Sequence, residues 1–116
     1  MKIKNKDLRA ISIALFSLGN HQEDIALKWE ITKFAKKVND ANEVLKSQVN
    51  VLIDEQGVEK DGNKSISSNN KDYMKLMELD IDVDIDEGKF YLSYLEQFNP
   101  TVQELMSLGP IIKEGD

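Results

Sequence analysis

The chain has 116 residues, 41% of them hydrophobic, and a formal net charge of −6 at pH 7. This length allows one domain with a modest core, and the negative charge disfavours phosphate backbones, so nucleic acid is not an expected partner. The absence of cysteine excludes disulfides and thiolate metal sites and is typical of a reducing compartment. We expect a single domain over residues 1–116.

An apolar run from Ala10 to Leu18 follows a lysine-rich start, a combination that also occurs in secretory signals. Asp7 and Arg9 interrupt this pattern, no A-x-A cleavage site follows, and the run is shorter than the ~20 residues of a membrane span. We interpret it as a helix that ends at Gly19-Asn20 and carries apolar side chains on nearly every side. The run predicts a buried N-terminal helix and no membrane partner.

The stretch from Gln22 to Gln56 contains neither Gly nor Pro and predicts one long helix. Its apolar residues recur at alternating spacings of four and three, which defines a heptad-like seam of Leu27, Ile31, Phe34, Val38, Ala41 and Leu45. A helix of this length extends for ~50 Å, whereas a compact domain of this size has a radius of gyration of ~13 Å. We therefore expect the helix to protrude or to bind a partner.

The long helix has apolar side chains outside the seam. Ile25 and Trp29 fall on the opposite face, and Val44 and Val51 lie to one side. Trp29 has two interpretations, a core residue under a neighbouring helix or an anchor for a partner, since Trp is enriched at interface hot spots. The candidate residues for partner binding or self-association are Ile13, Phe16, Ile25, Trp29, Phe34, Val44 and Val51.

The composition changes after Gln56, and the chain is expected to divide into a helical part at 1–56, a flexible loop at 57–70 and a third part at 71–116. The loop is rich in Gly, Asn, Ser and Lys, and Asp61-Gly62 could close a small hairpin in it. A short helix is predicted from Lys71 to Leu79. Another short helix is predicted between Asn99-Pro100-Thr101 and Gly109-Pro110. Thr101 and Glu104 have capping-box spacing at its start.

Apolar residues and aspartates alternate strictly from Leu79 to Ile85, which predicts a half-buried strand. A turn at 86–89 and the apolar residues at 90–95 complete a predicted β-hairpin over about 79–95. The spacing of Asp82, Asp84 and Asp86 matches the start of an EF-hand loop, but Glu87 and Ser93 stand where that loop needs Gly and Glu. We expect a solvated strand face and no metal site. The predicted class is mainly α, with this hairpin beside the long central helix, the N-terminal helix and short C-terminal helices.

Residues for enzymatic chemistry are scarce. His21 is the only histidine, cysteine is absent, and neither a G-x-S-x-G nor a Gly-rich phosphate loop occurs. A Ser-His-Asp arrangement is formally available, but no motif places its members. We expect a protein that is not an enzyme and uses no cofactor.

The order of segments along the chain resembles that of a group of known proteins. It consists of the opening Met-Lys-Ile-Lys-Asn-Lys-Asp-Leu, the long helix around Phe34-Ala35-Lys36-Lys37, the segment Glu59–Asn63 and the ending Glu104–Ile112. This layout resembles small proteins of tailed phages of Gram-positive bacteria and, among them, the chaperones of the tail tape measure protein. The resemblance implies a homo-oligomer in the host cytoplasm that binds apolar helical segments of the tape measure protein during tail assembly.

Two other functions remain open from the sequence. The acidic row of Asp80, Asp82, Asp84 and Asp86 could occupy a basic groove of a host enzyme, as in an inhibitor or host-takeover protein. Alternatively, the long helices of two copies could pair in a plain structural dimer. Binding through apolar surface would be insensitive to salt, whereas an acidic mimic would lose its partner as salt rises.

Overall fold

The computed structural model describes residues 1–114, which form a mainly helical fold. The helices are α1 (Leu8–Asn20), α2 (Ile25–Gln56), α3 (Lys71–Glu78), α4 (Leu92–Leu95) and α5 (Val102–Leu108). The strands are β1 (Lys2–Lys4), β2 (Val58–Lys60), β3 (Asn63–Ser65) and β4 (Asp80–Asp82). Short 3₁₀ turns cover Asn5–Asp7, Glu87–Phe90, Glu96–Phe98 and Gly109–Ile111. The predicted mainly α class, with a long central helix and an N-terminal helix, is confirmed.

Helix α1 packs along α2 and buries the predicted seam. Ile31, Phe34, Val38 and Leu45 of α2 are buried, and Leu27, Ala41 and Val49 are partly buried beside them. The carboxylate of Asp24 accepts hydrogen bonds from the backbone N–H groups of Ala26 and Leu27, which fixes the start of α2. The seam therefore stabilises an intramolecular helix pair, because burial of each large apolar side chain contributes ~1.5–3 kcal/mol.

Helix α2 sets the shape of the molecule. The described residues extend 48 × 27 × 24 Å, and a helix of 32 residues spans nearly the whole long axis. Helix α1 has 13 residues and covers only the first part of α2. The part of α2 that follows Leu45 contacts the short elements α3 and β3, and none of its residues from 46 to 56 is buried.

The predicted hairpin over about 79–95 is wrong. Only Asp80–Asp82 forms a strand, and it pairs antiparallel with β1 in the register Lys2↔Asp82, Ile3↔Ile81 and Lys4↔Asp80. Residues 87–95 instead form a 3₁₀ turn and α4, which bury Phe90 and Leu95. The remote strand brings Ile3, which is buried in the core, opposite the half-buried Ile81, and its lysines stand opposite the aspartates of β4.

The segment after α2 does contain the small hairpin that Asp61-Gly62 suggested. Strands β2 and β3 pair antiparallel, and Asp61 and Gly62 join them with φ values of 53° and 82°. All six strand residues are exposed. The hairpin therefore adds little to the core.

The C-terminal part closes the core with buried side chains from several short elements, namely Phe90, Leu95, Phe98, Leu108 and Ile111. Asn99 adopts a left-handed conformation (φ 50°) that ends the preceding turn. Thr101 and Glu104 then form the predicted capping box, with hydrogen bonds of 2.8 and 3.1 Å between side chain and backbone. Helix α5 packs against α1, so the end of the chain contacts its beginning.

Candidate partner-binding surface

Six of the seven candidate interface residues are exposed: Ile13, Phe16, Ile25, Trp29, Val44 and Val51. Phe34 is the exception, and its assignment to a partner surface is wrong. Its side chain is only 8% exposed and packs against Phe90, with ring centroids 5.5 Å apart and ring planes at 52°. Phe34 belongs to the seam that α1 covers, so it stabilises the fold and is not available to a partner.

The outer face of α2, as we define it by its exposed apolar residues, carries Ile25 and Trp29 opposite the seam and Val44 and Val51 to one side of it. Trp29 is 63% exposed, so its interpretation as a core residue is wrong. An ion pair between Lys36 and Asp40, with Nζ 2.9 Å from Oδ2, separates the two apolar ends of this face. The face could take a partner at either end, and its role as an interface remains a prediction.

An apolar groove lies between the end of α2 and α3. It has a volume of about 380 Å³ and is lined by Val51 and Leu52 from α2 and by Leu76 and Leu79 from α3 and its C-terminal cap. The exposed side chains of Gln48, Asp72 and Lys75 complete the lining. We call this feature the α2–α3 groove.

Hydrogen bonds fix α3 beside the end of α2. The Gln56 side chain donates to Asp72 Oδ2 at 2.8 Å and accepts from Asn70 Nδ2 at 2.9 Å. Asn70 also caps α3, because its Oδ1 accepts from the Tyr73 N–H at 3.0 Å. These contacts set the position of the groove wall that carries Leu76 and Leu79.

Three apolar groove residues, Leu52, Leu76 and Leu79, were missing from the sequence-based candidates. Leu76 lies within the helix that the sequence predicts, and Leu79 lies where the predicted strand begins. Leu76 and Leu79 are three residues apart, which places both side chains on one side of α3. This spacing is the sequence signal that could have predicted a shared apolar surface. The alternation that begins at Leu79 obscured this signal, since it favours an extended segment.

A buried carboxylate lies at the other end of the molecule. Glu104 is 3% exposed, and its carboxylate accepts hydrogen bonds from Ser17 Oγ at 2.6 Å and from the Thr101 N–H at 2.8 Å. His21 Nε2 lies 2.9 and 3.2 Å from the two carboxylate oxygens. Because a carboxylate only accepts, Nε2 carries the proton in this contact.

The ionisation of Glu104 depends on these donors. Burial alone would raise the pKa of Glu104, but the hydrogen bonds from Ser17, His21 and the Thr101 N–H outweigh it and lower that pKa. Ser17 and His21 both contact the same carboxylate instead of each other, so Ser17 has no general base other than Glu104. The arrangement joins α1 to α5 and does not form a nucleophile-activating triad.

The acidic row on and after β4 is opposed by lysines. Lys2 pairs with Asp82, Lys4 with Asp80 and Lys37 with Asp84, each with Nζ 3.6 Å from a carboxylate oxygen. Exposed pairs at this distance contribute little stability, but they offset the local negative charge. This surface is therefore less acidic than the sequence of residues 80–86 indicates.

Searches for other kinds of site and for relatives give no further assignment. Within residues 1–114, no three or more His, Cys, Asp or Glu side chains are grouped so that they could hold a metal ion. None of the helices in this range combines the length and the apolar character that a membrane crossing requires. No family model, curated protein or solved structure matches the chain.

Proposed function

We propose that the chain is a non-enzymatic binding protein that takes the apolar face of a partner helix into the α2–α3 groove. The observation that carries this proposal is the groove itself, which is lined by exposed Val51 and Leu79 and by half-buried Leu52 and Leu76. An amphipathic helix presents apolar side chains at spacings of three and four, which suits an open apolar groove. Specificity would be low, because the polar side chains around the groove are few.

The partner we propose is the tail tape measure protein of a phage, with the chain acting as an oligomeric assembly chaperone in the host cytoplasm. The support is the resemblance in layout together with exposed apolar side chains at several places on an acidic molecule. A long helical client would need several sequence-tolerant contacts, and linked sites raise avidity without new contacts. The outer face of α2 could join the copies, since Trp29 and Ile25 are exposed there.

A structural dimer is the second candidate, and the exposed apolar residues on the outer face of α2 favour it. It differs from the chaperone in needing no client. The acidic inhibitor has less support, because Lys2, Lys4 and Lys37 offset the aspartates that it would use. Each candidate predicts a different response to an apolar helical peptide and to salt.

The groove can be tested with a fluorescently labelled amphipathic peptide whose apolar face consists of leucines. Fluorescence anisotropy should report binding that changes little between low and high salt, because apolar contacts are not screened. Val51→Asp should weaken binding about tenfold, the effect of losing roughly one buried apolar side chain. Val102→Asp is the matched control, since Val102 is an exposed valine on α5, away from the groove.

The client can be tested by capture of the tagged chain from infected cells, with mass spectrometry of the proteins retained. Recovery of the tape measure protein by the unaltered chain, and its loss with Val51→Asp, would support the proposal. Equal peptide binding by the Val51→Asp and Val102→Asp variants would contradict the proposal that the peptide binds in the α2–α3 groove. Recovery of a host enzyme in a salt-sensitive complex would instead favour the inhibitor.

A further inference from the structure

A second groove, separate from the α2–α3 groove, combines positive charge with side-chain amides. It has a volume of about 410 Å³ and lies where the start of α1, the middle of α2 and α3 meet. Lys6, Arg9 and Lys46 line it together with Asn5, Asn42 and Asn50. We call it the amide groove.

The lining of the amide groove contains no carboxylate, although the chain as a whole has a net charge of −6. Lys6 is held by Glu78 at 2.7 Å and Lys46 by Glu43 at 3.1 Å, and both carboxylates lie outside the lining. Arg9 forms no ion pair with any residue in the range 1–114. A guanidinium without a protein partner is free to bind a carboxylate or phosphate group of a ligand.

Asn42 gives a second, independent indication of a ligand. Its side chain is 6% exposed, yet within the described part of the chain its amide has no hydrogen-bond partner. Within residues 1–114, no residue that is buried or half-buried leaves a solvent-shielded side-chain N or O atom without a partner, so the polar atoms of the Asn42 amide reach solvent, and Asn42 lines the groove. Most buried amides are satisfied by protein groups, and Asn5 nearby donates to the Leu76 carbonyl at 2.9 Å.

The remaining lining residues are suited to contact with the apolar part of a ligand. Leu45, Val49 and Met77 are apolar and buried or half-buried, and Tyr73 adds an aromatic side chain. A site with an apolar lining and a few polar groups that fix orientation is typical of small-molecule pockets, whose volumes run from about 300 to 1,000 Å³. The groove therefore has a charged part and an apolar part, each suited to a different end of one molecule.

We propose that the amide groove binds a small organic anion, a phosphate or carboxylate joined to a flat or apolar body. Arg9 binds the oxyanion, and the Asn42 amide hydrogen-bonds the ligand. Leu45, Val49 and Met77 contact the apolar body.

The test uses the full chain labelled with ¹⁵N and titrated with phenyl phosphate, followed by NMR at the Asn42 side-chain amide. The expected result is a saturable shift of this signal with a Kd near or below about 1 mM. Benzyl alcohol, a neutral probe, should leave the signal in place. Benzoate and inorganic phosphate identify the oxyanion and show how much the apolar body contributes, since tighter binding of phenyl phosphate than of inorganic phosphate requires that body.

Two variants and one control decide the assignment. Arg9→Gln should weaken phenyl phosphate binding at least about tenfold, whereas Lys33→Gln, which removes one exposed charge from α2 outside the groove, should leave it unchanged. Asn42→Leu removes the reporter amide, so its binding is followed at the Asn50 side-chain amide of the same groove, and it should also lose binding while keeping its helical circular dichroism. If Asn42→Leu does not fold, Arg9→Gln decides, because Arg9 is exposed. A signal that does not saturate, equal shifts with benzyl alcohol, or unchanged binding in Arg9→Gln would overturn the proposal.

Discussion

The imidazole of His21 lies 2.9 Å from the carboxylate of Glu104, so the residue that caps the end of α1 contacts the first turn of α5. This contact joins residues 83 positions apart in the sequence. Ser17, one turn earlier on α1, donates to the other carboxylate oxygen at 2.6 Å. Glu104 thus connects the two ends of the chain and at the same time caps its own helix.

We predict that Glu104→Gln lowers the free energy of unfolding by about 1–2 kcal/mol, because the amide accepts fewer hydrogen bonds than the carboxylate that His21 and Ser17 contact. Urea denaturation at pH 7 measures this change. Glu96→Gln is the control, since Glu96 is exposed and should tolerate the same substitution. Equal stability of the two variants would contradict the structural role of the contact.

The same residue predicts a pH dependence of stability. The folded protein holds the pKa of Glu104 below its value in the unfolded chain, which is about 4.3. Its contribution is therefore fully present above about pH 4.3 and is lost as pH falls through the lower folded-state pKa. The unaltered chain should lose more stability than Glu104→Gln in this acidic range, and parallel pH curves for the two proteins would disprove the effect.

The pairing of β1 with β4 can be tested by cross-linking, because the natural sequence has no cysteine. Lys2 and Asp82 are opposite each other, and the backbone bonds from Val83 to Met1 and from Asn5 to Leu79 make theirs the non-hydrogen-bonded pair. Such pairs have Cα atoms ~4.5 Å apart, within the range for a disulfide. Lys2→Cys with Asp82→Cys should therefore cross-link under mild oxidation, as seen by mass spectrometry without reductant.

The matched control for this cross-link is Asp82→Cys with Ser93→Cys, the pair that a hairpin over about 79–95 would bring together. In the structure, residue 93 lies in α4, so this pair should remain reduced. Preferential cross-linking of the control pair would support the predicted hairpin over about 79–95 and contradict the pairing of β1 with β4.

Self-association through the outer face of α2 is expected at micromolar concentration. Trp29→Asp should weaken it more than Lys36→Asp, because only the first removes a large apolar side chain from the contact. Both residues are exposed, so both variants should keep the helical content of the unaltered chain. Sedimentation velocity measures the oligomer, and a monomer up to about 100 µM, where an association of about 5 kcal/mol would be visible, would contradict the prediction.

The segment from 57 to 70 should be the most mobile internal part of the chain. Its hairpin has six exposed strand residues, and an isolated two-stranded hairpin is marginal in water. Amide hydrogen exchange over residues 60–68 should be faster than in the part of α2 that contains Ile31 and Val38, which lies in the core. Slow exchange across 60–68 would show that another contact holds the hairpin.

Local features of the fold could be predicted because their causes lie within a few residues. The heptad spacing from Leu27 to Leu45 predicted the buried face of α2, since the side chains that share a helix face follow from its pitch alone. Thr101 and Glu104 predicted a capping box for the same reason, and Asp61-Gly62 predicted the turn of the β2–β3 hairpin.

Only part of the candidate site could be predicted from the sequence. Exposure of Trp29, Val44 and Val51 follows from their position opposite or beside the seam, once α1 is known to occupy the seam. Phe34 was misassigned because a seam residue can face either a second copy or a helix of the same chain. The heptad pattern is the same in both cases.

By itself, the sequence determined the approximate positions of α1, α2, α3 and α5, which face of α2 is apolar and that the chain carries net negative charge. Tertiary structure alone decided that β4 pairs with β1, that Glu104 contacts His21, and that Leu76 and Leu79 line the same groove as Val51. The physical reason is the distance along the chain. Helical pitch and capping depend on neighbours within one or two turns, whereas these contacts join segments whose proximity depends on how the entire core packs.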